Sequence, residues 1–150
     1  MPPGFTRSLA ERLNNISQLH VTEARDGDEL TAGRAFIAPG DRHMRVKRIG
    51  ERFYIRLSDD PPIGGLRPSI DMMMESLADC AIPVLGVLLT GMGQDGVGGF
   101  KKIRAVQGFT IAEDESTCVI YGMPRAAVDN DCVDLVAPLH NIAQEIINHL

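Results

Sequence analysis

What this chain lacks bounds its function before anything it contains. No apolar run approaches the roughly 20 residues that a bilayer-spanning helix needs, so no transmembrane helix is expected. Met1 to Arg7 has no charged segment followed by an apolar one, so a secretory signal is not expected either. No run of lysine and arginine exceeds two residues, Lys101-Lys102 among them, and the formal net charge is −5. A nucleic-acid partner is therefore unsupported. The three cysteines, Cys80, Cys118 and Cys132, have neither close pairing nor metal-ligand spacing. They fit reduced, mostly buried thiols in a cytoplasmic protein. The histidines His20, His43, His140 and His149 lie in no His-x-x-His or Cys-x-x-Cys context, so no metal site is expected. Repeats, low-complexity tracts and a dividing linker are also missing.

What is present is a chain of 150 residues, 44% hydrophobic and 23% charged. That composition suits one soluble globular domain with a real core. Phe5, Leu9, Ala10 and Leu13 have helical spacing, with Thr6 placed to cap the start. Asp26-Gly27-Asp28 reads as a turn, and Arg34 to Ala38 as a short strand closed by Pro39-Gly40-Asp41. His43 to Ile49 and Arg52 to Leu57, joined by Gly50-Glu51, predict an antiparallel β-hairpin over about 43–57. Pro61 to Gly65 breaks structure. Ser69 then caps a helix through Ala78 whose apolar face is Met72, Met73, Leu77 and Ala78, a core stripe rather than a ligand box.

The most informative stretch is Leu88-Leu89-Thr90-Gly91-Met92-Gly93-Gln94-Asp95-Gly96-Val97-Gly98-Gly99. The apolar run Ile82 to Leu89 feeds into it, and a helix from Gly98 to Gln107 follows. This is strand–loop–helix grammar, and chemistry gathers at the carboxyl ends of such strands. Beyond it, Phe109 to Ala112 reads as a buried strand and Pro124 to Val128 as a short helix. Val133 to Val136 is extended, and Leu139 to Leu150 is a closing helix. The alternation implies an α/β protein with a doubly wound, mostly parallel sheet.

Gly91-x-Gly93-x-x-Gly96 also fits the dinucleotide fingerprint, with Glu113 and Asp114 at the distance of a ribose-binding acid. Against that rival, Asp95 sits where a pyrophosphate would approach and would repel it. The plainest reading makes the loop a connection whose Asp95 is a turn former.

Five segments occur here in one order: Met1-Pro2-Pro3-Gly4-Phe5-Thr6-Arg7-Ser8, Ile37-Ala38-Pro39-Gly40-Asp41-Arg42-His43, Arg67-Pro68-Ser69-Ile70-Asp71, Leu89-Thr90-Gly91-Met92-Gly93-Gln94-Asp95-Gly96 and Tyr121-Gly122-Met123-Pro124. Together they resemble the catalytic domain of the chemotaxis protein-glutamate methylesterases, the CheB family, over nearly the whole chain. The resemblance implies hydrolysis of glutamate γ-methyl esters on chemoreceptor helices in bacterial chemotaxis, with glutamine deamidation in many members. A serine attacks the ester, a histidine moves the proton and an aspartate orients the histidine. Asp95 matches that aspartate, and Met92 the residue whose backbone N–H helps hold the oxyanion. Arg67, Pro68, Ser69, Met123 and Pro124 match loops that line the family cleft. No cofactor is implied. The partners implied are the cytoplasmic helices of methyl-accepting receptors.

In the family the catalytic histidine stands immediately before the Met-Pro-Pro-Gly-Phe-Thr segment, and the serine lies further upstream in a Gly-rich loop. Neither occurs at its family position in this sequence. Ser8, Ser17, Ser58, Ser69, Ser76 and Ser116 lie in no GxSxG elbow, and His43 reads as a loop or strand-end histidine. The expectation is a single domain over 1–150, truncated ahead of Met1, without a receiver domain and inactive by itself. Interior strands of the family sheet are then missing, which leaves unpaired edges and a route to self-association. A module that binds the receptor without chemistry is the alternative of another class.

Overall fold

The structure is a computed structural model that describes residues 4–150. Its elements divide between two compact units, Met1–Ser76 and Leu77–Leu150.

The first unit opens with α1 (Phe5–Ile16), which follows Gly4 and stops where Ser17 turns extended. Thr6 does not cap it. Gly4 holds the cap position, and the buried Thr6 hydroxyl instead donates to Glu23 Oε1 at 2.6 Å and accepts from the Gly40 N–H at 3.0 Å. A hydroxyl inside the first turn faces the tertiary partner rather than its own orphan donors. That partner lies on β1 (His20–Glu23), a strand that apolar patterning does not announce. It pairs in parallel with β2 (Arg34–Ile37), His20 opposite Arg34 and Glu23 opposite Ile37.

The hairpin is as expected: β3 (His43–Ile49) and β4 (Arg52–Ser58) run antiparallel, with His43 opposite Ser58 and Ile49 opposite Arg52. Ala24, Met44 and Ile55 form this unit's buried cluster, and Phe36, Leu57 and Met73 pack on it. The helix α2 (Ile70–Ala78) crosses the division between the units. Ser69 caps it as anticipated, its Oγ accepting the Met72 N–H at 3.4 Å. The buried stripe of α2 is centred on Met74 and Ala78, one turn apart, while Met72 and Leu77 are half-buried.

The second unit carries a three-stranded parallel sheet in the order β5 (Leu85–Leu88), β6 (Phe109–Glu113), β7 (Leu135–Ala137). Helices cover both faces. On one, Ile142 and Ile146 of α5 (Leu139–Asn148) pack on Ile111, Leu85, Val87 and Leu135. On the other lies α3 (Val97–Ala105), whose Phe100 and Ile103 are fully buried. It sits close because β5 has a glycine at its centre. A Cβ on Gly86 would stand 2.8 Å from Ile103 Cδ1 and 3.0 Å from Phe100 Cε1. The short α4 (Met123–Asp129) completes the unit.

Boundaries differ from the sequence reading where side chains intervene. The last strand starts at Leu135 rather than Val133, because Asp134 is spent on Thr110: its carboxyl accepts both the Thr110 N–H (2.9 Å) and hydroxyl (2.8 Å). Helix α3 ends at Ala105, and Gln107 turns left-handed beyond it. The α/β class with parallel strands, flanking helices and a hairpin is as the sequence implies. Among the described residues, the parallel strands form two separate sheets. No helix there is long and apolar enough to cross a membrane.

Candidate active site

Parallel strands bring their following loops to one edge of a sheet, which is why that edge collects function in α/β proteins. In the second unit this edge carries residues 89–96 after β5 and 114–122 after β6. The two segments are stitched together. The Gly91 N–H donates to the Ile120 carbonyl at 3.1 Å, and the Met123 N–H to the Gly91 carbonyl at 2.8 Å. The Thr90 hydroxyl donates to the Ile120 carbonyl (3.1 Å) and accepts the Ile120 N–H (2.8 Å).

Contact between the segments depends on two absent side chains. A Cβ on Gly91 would lie 2.5 Å from Met123 Sδ, and one on Gly122 would lie 2.6 Å from the Gly91 carbonyl oxygen. Within the loop, Gly93 (φ 95°) and Gly96 (φ 112°) take left-handed backbone that side chains resist. Those turns leave Met92 78% exposed and deliver the chain into α3, with Gly96 at the cap. Asp95 is half-buried and immediately precedes that cap, at the helix end whose partial positive charge favours a carboxylate.

Met92, Asp95, Met123 and Pro124 therefore belong to one edge of the second unit. Pro124 is buried in the first turn of α4, and Met123 packs on Gly91. Arg67, Pro68 and Ser69 belong to the first unit. There Arg67 pairs with Asp41 at 2.7 Å and donates to the Asp59 and Asp60 carbonyls at 3.1 and 3.2 Å. The Arg67–Pro68 peptide is cis, and Ser69 is buried. Met1, Pro2 and Pro3 of the first motif lie outside the described residues.

His43 opens β3 fully buried, and its ring is committed. Nδ1 accepts the Ser69 N–H at 3.2 Å, so Nε2 carries the proton and donates to the Pro61 carbonyl at 3.1 Å. It is a structural histidine. Cys80 and Cys132 are buried, and none of the three cysteines forms a disulfide among the described residues. The Cys118 thiol is pushed up by burial and then by the neighbouring Glu113 carboxyl, which works against a thiolate nucleophile.

Two further residues of this edge, Thr90 and Glu113, have no role in the esterase reading of the sequence. Glu113 ends β6 fully buried, and its Oε2 accepts the Thr90 N–H at 2.7 Å. It is thus engaged inside the fold, not presented to a ribose. Asp114 is held below the usual aspartate range by the Ser116 hydroxyl and then the Ser116 N–H. With Met123 packed against Gly91, the glycine approach that a pyrophosphate requires is already filled. The dinucleotide reading has no geometric support.

A cavity of about 310 Å³ belongs to the first unit, beside α1 and β1. Its lining mixes Arg7, Arg25 and Arg34 with Glu11, Glu23 and Asp28, and includes no histidine, cysteine or serine. Among the described residues no group of three or more His, Cys, Asp or Glu is placed to hold a metal ion.

Comparison with known proteins agrees with the motif order. Residues 1–146 match the family model described as CheB methylesterase. A protein-glutamate methylesterase/protein-glutamine glutaminase 2 of Pseudomonas aeruginosa is 51% identical over 148 residues, which are 98% of this chain and 42% of that protein. A protein-glutamate methylesterase/protein-glutamine glutaminase of Salmonella typhimurium is 45% identical, with the same coverage. This chain thus spans about 42% of the length of these curated relatives. The crystal structure of the Thermotoga maritima CheB methylesterase catalytic domain superposes with a TM-score of 0.97 at 39% identity, covering 100% of this chain and 80% of that one.

Proposed function

We propose, from the premise that this chain belongs to the CheB methylesterase family, that it supplies the acid-bearing part of a serine-type ester hydrolase. The substrate is a glutamate γ-methyl ester on the cytoplasmic helices of a chemoreceptor. Asp95 orients a histidine, and the histidine takes the proton of a serine that attacks the ester carbonyl. Methanol leaves, and water then releases the glutamate from the acyl-enzyme. Histidine and serine are residues that the family carries ahead of the first motif. The backbone N–H of Met92 donates to the oxyanion, a task suited to a donor in a glycine-flanked turn. Met123 and Pro124 flank the loop that bears Met92 and Asp95 without taking a chemical step, and none is assigned to Arg67, Pro68 or Ser69. The site of action is the cytoplasm, and no cofactor is required.

The observation that carries this reading is the construction of the loop. A half-buried acid and an exposed, tightly turned Met92 are held at the carboxyl edge of a parallel sheet. Methanol release from methylated receptor is the test. The 150-residue chain is compared with the form extended upstream through the family serine and histidine. The expected outcome is release by the extended form alone, lost on Asp95→Ala by a factor on the order of 10³ to 10⁴. Full activity in Asp95→Ala would overturn the reading.

A further inference from the structure

Glu113 is a puzzle in a soluble fold. A fully buried carboxyl group is costly unless its oxygens are satisfied, yet only Oε2 is spent, on the Thr90 N–H, while Oε1 makes no hydrogen bond among the described residues. The Cys118 thiol beside it is a weak donor, and its Sγ lies 3.8 Å from the Glu113 main-chain carbonyl. If Glu113 served only to fill space, an apolar residue would do so at lower cost.

Its one bond falls at a consequential place. Thr90 is the first residue beyond Leu89 after β5 and stands directly before Gly91. Its hydroxyl already joins the loop to Ile120 in both directions. The residue itself is exposed, so without an internal acceptor its N–H would turn to water. With Glu113 the peptide plane between Leu89 and Thr90 is fixed from the sheet side, and the hydroxyl fixes it from the loop side. That orientation sets where Gly91, Met92 and the descent to Asp95 begin.

We propose that Glu113 is a positioning residue for the loop bearing Met92 and Asp95, acting through the Thr90 N–H. The kinetic part rests on the esterase reading given above; the mechanical part does not. Two readouts on the natural full-length protein separate them: amide hydrogen exchange at Thr90 and Gly91, and kcat and KM for methanol release. The variants are Glu113→Leu, which keeps the bulk without an acceptor, and Glu113→Gln, which keeps an acceptor oxygen.

The Thr90 amide is expected to be protected in the unaltered protein. Glu113→Leu raises its exchange about tenfold and lowers kcat by between about tenfold and a hundredfold, with KM within about twofold. Glu113→Gln restores both to within about threefold. The proposal fails if the Thr90 amide of the unaltered protein exchanges freely, a measurement that needs no variant to fold. It also fails if glutamine behaves as leucine does. Absence of methanol release from the unaltered protein, with exchange still following the acceptor, would sink the esterase reading and leave the loop-holding role intact.

Discussion

In the first unit the segment from Asp59 to Ser69 is fastened by side chains. Arg67 reaches Asp41 and two carbonyls, Arg42 reaches Asp59 at 2.9 Å, Arg45 reaches Asp60 at 2.9 Å, and His43 takes the Ser69 N–H. In the second unit the segment from Leu89 to Gly96 is fastened at Thr90, through its hydroxyl on Ile120 and its N–H on Glu113, and at Gly91 by main chain. Gly91 exchanges backbone hydrogen bonds with Ile120 and Met123, and glycine surfaces close the gap. A clasp made of guanidinium groups and carboxylates responds to charge, salt and pH but tolerates small changes of shape. Where peptide groups meet at contact distance, as at Gly91 and Gly122, charge matters little and a methyl group has no room.

Gly122→Ala should break the contrast most severely. The added Cβ meets the Gly91 carbonyl oxygen at 2.6 Å, and backbone does not move aside. Stability should fall by about 1–3 kcal/mol, as overpacking does, and the loss should be the same in low and high salt. Gly93→Ala, which meets nothing within 4 Å but keeps φ at 95°, should cost about 1 kcal/mol from strain alone. Denaturant unfolding of both variants side by side measures the difference. Equal losses would deny the close contact.

Arg67→Ala comes next, with an expected cost of about 1–2 kcal/mol from the lost ion pair and two carbonyl bonds. Arg67→Lys should recover less than half, because one ammonium does not span three acceptors. In 1 M salt the margin between unaltered and alanine proteins should narrow, unlike that of Gly122→Ala. Salt-independent loss would mean that packing, not charge, holds the segment.

The smallest effect concerns Asp60, held below the usual aspartate range by the Ser58 hydroxyl and then by Arg45. With a folded pKa below the unfolded one, its stabilisation is present above the unfolded value and is lost as pH falls through the folded one. Asp60→Asn should therefore lower the melting temperature slightly at pH 7, and the gap should narrow as pH falls below about 4. A gap that does not narrow at all on acidification would count against the titration of Asp60 as its source.

Much of this was legible in the sequence. The hairpin showed through alternation and Gly50-Glu51, α1 through periodicity, and α2 through its Ser69 cap and apolar face. The motif loop showed through its glycines. What stayed hidden was non-local. His20 to Glu23 becomes a strand only because Arg34 to Ile37 lies beside it in parallel, a pairing that no local pattern encodes. Thr6 looked like a cap because the sequence does not reveal that Glu23 and Gly40 compete for its hydroxyl. Glu113, read as a candidate ribose acid, becomes an internal acceptor once β6 carries it to the level of Thr90. At the site, Met92 and Asp95 were visible as a turn with an acid, whereas their bracing by Ile120, Gly122 and Met123 emerges only when the 114–122 segment returns to the loop.

Gly86 draws the two themes together. Because it has no side chain, α3 seats directly on β5 through Phe100 and Ile103, and the first turn of that helix begins two residues after Asp95. The helix is a short lever whose fulcrum is a bare patch of strand. Thickening the fulcrum by one carbon would lift the far arm, and the carboxyl group would travel with it. The height of the acid above the sheet edge is thus written into a position in mid-strand, nine residues upstream, that lies buried under α3.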